Sequence, residues 1–160
     1  VVAPTPVRAV RFAGGWLFDR VMAGWDVTVH VTHHADARPL EILGARVVDL
    51  ERTLANRARV PFPQALAVDA DLCCNDERVR LLVHEAAEPG QTEITFFSDR
   101  WPAEREGGAP AVCHRLSVAA RAFKAHALAA AQVSVDAIDP TESFRSDTPA
   151  RTLRLLEPAV

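Results

Sequence analysis

Residues 13–36 read Ala13-Gly14-Gly15-Trp16-Leu17-Phe18-Asp19-Arg20-Val21-Met22-Ala23-Gly24-Trp25-Asp26-Val27-Thr28-Val29-His30-Val31-Thr32-His33-His34-Ala35-Asp36, and their reading decides the fold. Phe18, Val21, Met22 and Trp25 fall at i, i+3, i+4 and i+7, one face of a helix. The spacing predicts a helix over 16–23, opened by the glycine pair and closed by Gly24, a residue suited to the left-handed conformation at a helix end. Val27, Val29 and Val31 then alternate with Thr28 and His30, the period of a strand whose two faces differ. A polar loop holding His33, His34 and Asp36 follows.

Downstream, Pro39 and Gly44 bracket a short helix. Val47, Val48 and Leu50 give a second strand, and 51–58 one or two helical turns. Residues 65–74 fit two descriptions. As a strand, Ala-Leu-Ala-Val-Asp is a buried run; as a helix, Ala65, Val68 and Leu72 share one side, and the alanines favour helix. Asn75 is placed as the N-cap of a helix carrying Val79, Leu82, Val83 and Ala86 on one face, stopped by Pro89-Gly90. Glu93 to Phe97 and Ala111 to Arg115 read as strands. Ser117 caps an alanine-rich helix to about Gln132, with Leu116, Ala120, Phe123, Ala127 and Ala130 facing one way. Upstream, residues 1–6 read as an extended lead-in and Val7 to Phe12 as a short strand.

Helices alternating with short β-rich runs predict an α/β fold: a small, mainly parallel sheet with flanking helices, Rossmann-like, over 1–133. Residues 134–160 are expected to be an irregular tail that docks on the domain or on a partner. The strands after Asp26 and Gln91 are expected to lie side by side and point the same way.

Ala13 to Val31 resembles the first half of a Rossmann-type dinucleotide domain. Its glycine pair leads into a helix, and Gly24-Trp25-Asp26-Val27-Thr28-Val29 resembles that family's second strand and lead-in. The resemblance covers the first third of the chain and implies a layout. It implies no cofactor, because Ala13-Gly14-Gly15-Trp16-Leu17-Phe18 lacks the spacing G-x-G-x-x-G and Val31-Thr32 supplies no acid for a ribose.

Composition narrows the function classes. The chain has 160 residues, suiting one domain. A formal charge of −3 argues against nucleic acid as a partner. Lys124 is the only lysine among 18 basic residues, which, with abundant alanine, valine and proline, points to a GC-rich bacterial genome. Cys73, Cys74 and Cys113 make an odd set, which suits a reducing cytoplasm. No run approaches the roughly 18 apolar residues of a membrane helix. The start, Val-Val-Ala-Pro-Thr-Pro, lacks the blocks of a signal peptide and an initiator Met, as in a trimmed chain.

In parallel α/β sheets, ligands bind at the carboxyl ends of the strands. Three loops are expected there: Thr32 to Asp36, Glu51 to Thr53, and Ser98 to Trp101. The candidate ligand-contacting residues are therefore His33, His34, Asp36, Asp99, Arg100 and Trp101. Imidazoles beside a carboxylate suit a metal, but adjacent residues on extended chain point apart, so no metal is assigned. The plainer reading is a solvated loop in which Asp36 starts the next helix. Arg100 suits an anion and Trp101 a ring; a local ion pair with the indole closing the core is the plainer reading. Cys73-Cys74 reads as core. Trp16 and Trp25 read as core or interface anchors. No nucleophile–base–orienter set and no phosphate loop is visible, so no catalytic residue and no cofactor is assigned.

The expected function is a binding or regulatory role without chemistry of its own. The alternative is a small enzyme or small-molecule-binding domain using the crevice, with His34 as acid or base and Arg100 on an anion. A protein partner or a second copy, docking on the tail, is the remaining expectation.

Overall fold

Thr5 and Pro6 start the first helix, ten residues ahead of Trp16. In the computed structural model, which describes residues 1–33, 36–56, 61–88, 92–99 and 111–146, helix α1 runs over Pro6–Met22. The Thr5 hydroxyl accepts from the Arg8 amide at 3.2 Å, and proline at the first helical position has no amide to leave unpaired. This corrects two expectations. Val7 to Phe12 is helix, not strand, because six residues are too few to separate the two periods. The glycine pair lies inside α1 rather than in a turn before it. The strand that belongs here is β1, Val2–Ala3, inside the expected lead-in and fully buried.

The other elements follow in order: β2 Thr28–Val31, α2 Arg38–Ile42, β3 Arg46–Asp49, α3 Leu50–Ala55, β4 Ala65–Asp69, α4 Ala70–Asn75, α5 Glu77–Ala87, β5 Glu93–Phe97, β6 Ala111–Arg115, α6 Val118–Ala130 and β7 Thr141–Ser146. Gly24 and Gly44 adopt φ of +86° and +79° where α1 and α2 stop, as the sequence predicts. Ser117 caps α6 as expected, its hydroxyl accepting from the Ala120 amide at 3.0 Å. Residues 65–74 are strand and then helix. Asp69 ends β4 and caps α4, and Asp76, not Asn75, caps α5. The expected stop at Pro89-Gly90 lies outside the described residues.

One seven-stranded sheet has the order β3-β2-β1-β4-β5-β7-β6. The first five strands are mutually parallel; β7 runs antiparallel to both β5 and β6. The strands after Asp26 and Gln91 therefore point the same way in one sheet, as expected, but they do not lie side by side: β1 and β4 stand between them. Part of the stretch expected to be an irregular tail, Thr141–Ser146, is strand β7 inside the sheet; residues 147–160 lie outside the described residues.

Strand alternation builds two cores. Ala3, Val29, Val31, Ala67 and Phe97 face α1, α2 and α6. Val2, Leu66, Val68, Ile94 and Phe96 face α3, α4 and α5. The second face of β2 is half-buried, as Thr28 and His30 suggest. On α6 the buried side is Ala120, Lys124, Ala127 and Leu128. Phe123, expected on that side, is 42% exposed and stacks on Phe18 with ring centres 4.5 Å apart.

Candidate active-site crevice

The chain leaves β1 toward β2 and β3 on one side, then crosses to β4 and β5 on the other. The sheet thus reverses direction between β1 and β4, and in sheets of this kind the crevice outside the carboxyl ends at such a reversal is where ligands bind. The residues that follow β1 and end β4 meet there. Arg8 stands in the first turn of α1, held by the Thr5 cap. Its Nε donates to Asp69 Oδ2 at 2.5 Å and its NH2 group to Asp71 Oδ2 at 2.5 Å. Asp99, after β5, lies 3.5 Å from the same guanidinium. The Ser98 hydroxyl donates to Asp71 Oδ2 at 3.4 Å.

The carboxylates differ in freedom. Asp69 is fully buried, and its other oxygen accepts from the Leu72 amide at 2.9 Å. Asp71 and Asp99 keep 53% and 48% of their side-chain surface open. Burial pulls the Arg8 pKa down, but the hydrogen bond and charge of Asp69, aided by Asp99 and Asp71, outweigh it and raise it above the usual arginine value. Arg8 is therefore a fixed cation in a mostly acidic crevice.

Of the residues expected from sequence, Asp99 belongs to this cluster. His33 is exposed after β2, its backbone amide donating to the Pro4 carbonyl at 3.2 Å. Asp36 accepts from the Arg38 amide at 3.0 Å and so starts α2. β2 and β5 stand three strand spacings apart, about 14 Å, so His33 and Asp36 flank one side of the crevice and Asp99 the other. His34, Arg100 and Trp101 lie outside the described residues. Of the Glu51 to Thr53 loop, Thr53 bonds His30 and Glu51 bonds Arg78, in α3 and away from Arg8.

Arg8, Asp69 and Asp71 are missing from the expectation. Thr5-Pro6 carries the helix-start signal that places Arg8, and Val68-Asp69-Ala70-Asp71 carries a strand end followed by a cap. Reading 65–74 as one helix hides the second. Among the described residues, no three His, Cys, Asp or Glu side chains gather as metal ligands. No described helix is long and apolar enough to cross a membrane.

The fold and crevice define an α/β domain with a polar site at the strand ends. No family model matches the chain, and no curated protein matches it. Two solved structures are alike in fold. One is an antimicrobial pseudoaglycone deacetylase, Dbv21: 15% identity, 91% of this chain and 94% of that chain, TM-score 0.63. The other is a triple mutant of a deacetylase of the teicoplanin biosynthetic pathway: 15% identity, 80% of this chain and 78% of that chain, TM-score 0.55. At this identity the likeness is one of fold. Both are enzymes, which overturns the expectation of a binding or regulatory domain without chemistry and favours the alternative that uses the crevice.

Proposed function

We propose that the chain is a small enzyme acting on a small molecule in the carboxyl-edge crevice, and that its reaction is removal of an acyl group from an amine. The observation that carries this reading is the Arg8, Asp69, Asp71 and Asp99 cluster at the point where the sheet reverses. One guanidinium against three carboxylates leaves the crevice formally acidic, which attracts an amine-bearing ligand. Asp69 holds Arg8 in place. Asp71, the more open carboxylate, takes a proton from water as its oxygen adds to the acyl carbon. The NH1 group of Arg8, which none of Asp69, Asp71 and Asp99 engages, stabilises the oxyanion. The carbon–nitrogen bond then breaks, and the amine leaves with the proton. The deacetylase activity named for both structures of like fold supports this choice of chemistry. The order β3-β2-β1-β4-β5 supports a Rossmann-like layout, and three free cysteines support a reducing cytoplasm.

The full chain is to be incubated with N-acetylated amino sugars and simple N-acyl amines while free amine is measured. The expected result is release by the wild type that falls about a hundredfold in Asp71→Asn, within the usual range for a general base. Absence of release from every acyl amine, together with no ligand-induced shift in melting temperature, would overturn the reading.

A further inference from the structure

A second concave site lies at the opposite edge of the sheet, where the parallel strands begin. It is a groove of about 670 Å³, within the roughly 300–1,000 Å³ usual for small-molecule sites. Trp16, Trp25 and Phe62 supply its aromatic wall, and Arg20, Arg46 and Arg52 its charge.

The arginines are not equivalent. Arg46 is engaged: its NH2 group donates to Thr28 Oγ1 at 3.0 Å and meets Asp26 Oδ2 at 3.3 Å. The Arg20 guanidinium lies over the Trp25 ring at 4.7 Å and the Trp16 ring at 5.3 Å. Stacking uses the flat faces of a guanidinium and leaves its N–H edge for an acceptor. Among the described residues neither Arg20 nor Arg52 has a carboxylate partner. Two guanidiniums with donors to spare thus share a groove with two indoles and a phenyl ring. Among the described residues the only carboxylate lining it, Asp26, is already bound to Arg46.

We propose that this groove is a binding site for a small planar aromatic anion, its ring against Trp25 and Phe62 and its carboxylate on the edges of Arg20 and Arg52. Guanidiniums match carboxylates in a two-pronged contact, and aromatic faces supply the apolar area. His30, which also lines the groove, is neutral at pH 7. Burial, then the amino group of Val1 and Arg46, lower its pKa to about 4, so it adds no charge of its own.

Isothermal titration of the full chain with 1-naphthoate and with neutral 1-naphthylmethanol tests this. Arg52 is exposed and Arg20 half-buried, and neither belongs to the hydrophobic cores; circular dichroism verifies folding of each variant. The expected result is saturable naphthoate binding at least tenfold tighter than that of the alcohol. Arg20→Gln and Arg52→Gln each weaken naphthoate at least tenfold and leave the alcohol unchanged, while Phe62→Ala weakens both. Equal affinity for the acid and the alcohol, naphthoate affinity unchanged in both arginine variants, or no binding heat would overturn the site. None of these outcomes bears on the acyl-amine reaction, whose residues lie at the other edge.

Discussion

Gly15 stands in the middle of α1, and a methyl there would overlap both terminal carbons of Leu116. The position needs close approach, not a turn. Gly15→Ala is therefore expected to destabilise the fold by about 1–3 kcal/mol, the usual range for overpacking, although alanine is the better helix former. A lower urea midpoint with an unchanged m-value would show it. His30 makes a second residue-scale prediction. Its Nδ1 lies 2.8 Å from the Thr53 hydroxyl, and its pKa falls from 6.5 to about 4 on folding. Between those values the unfolded chain binds the proton and the folded one resists it. The contribution is therefore complete above pH 6.5 and is lost as pH falls toward 4. At about 1.4 kcal/mol per unit, the loss is on the order of 3 kcal/mol. In His30→Gln, the part of the acid destabilisation lying between pH 6.5 and 4 should disappear, read from urea midpoints at pH 7 and 5.

Among the elements, α1, α6 and β7 are joined by one buried ion pair. Lys124 Nζ lies 2.6 Å from Glu142 Oε1, and both side chains are nearly sealed from solvent. Glu142 also accepts from the Gly15 amide at 2.9 Å and the Trp16 amide at 2.8 Å. Removing one member of such a pair leaves an uncompensated buried charge, so Lys124→Met is expected to lower stability by about 3–5 kcal/mol. Chemical denaturation checks this, and a loss under 1 kcal/mol would show that the carboxylate finds another partner. This arrangement also shows what was legible in the sequence. β5, β6 and the start of α6 follow from local period and capping, because those signals sit within a few residues. That Lys124, the only lysine, is buried depends on Glu142 arriving from 18 residues away on a strand whose polar, proline-flanked sequence reads as tail. β1, with two residues, is too short to show any period. Its burial comes from its neighbours β2 and β4.

At the scale of the molecule, parallel strands put one polar site at their carboxyl ends, and the sequence locates that edge without locating its centre. Asp99 was legible because it follows a strand with a clear period. Arg8 and Asp69 were not, because they are 61 residues apart and meet only once the sheet reverses between β1 and β4. Their pairing separates stability from chemistry in a testable way. Asp69 is fully buried, so Arg8→Met strands a carboxylate that keeps, among the described residues, only the Leu72 amide, and a penalty of about 3–5 kcal/mol is expected. Asp71 is half-open to water, so its bond to the same guanidinium adds at most about 1 kcal/mol. Asp71→Asn should melt within a few degrees of the wild type while losing acyl-amine turnover. If Asp71→Asn unfolds as readily as Arg8→Met, Asp71 supports the fold and the open carboxylate of the crevice must be Asp99. The pair of melting curves, read beside the two activities, decides which carboxylate faces the ligand.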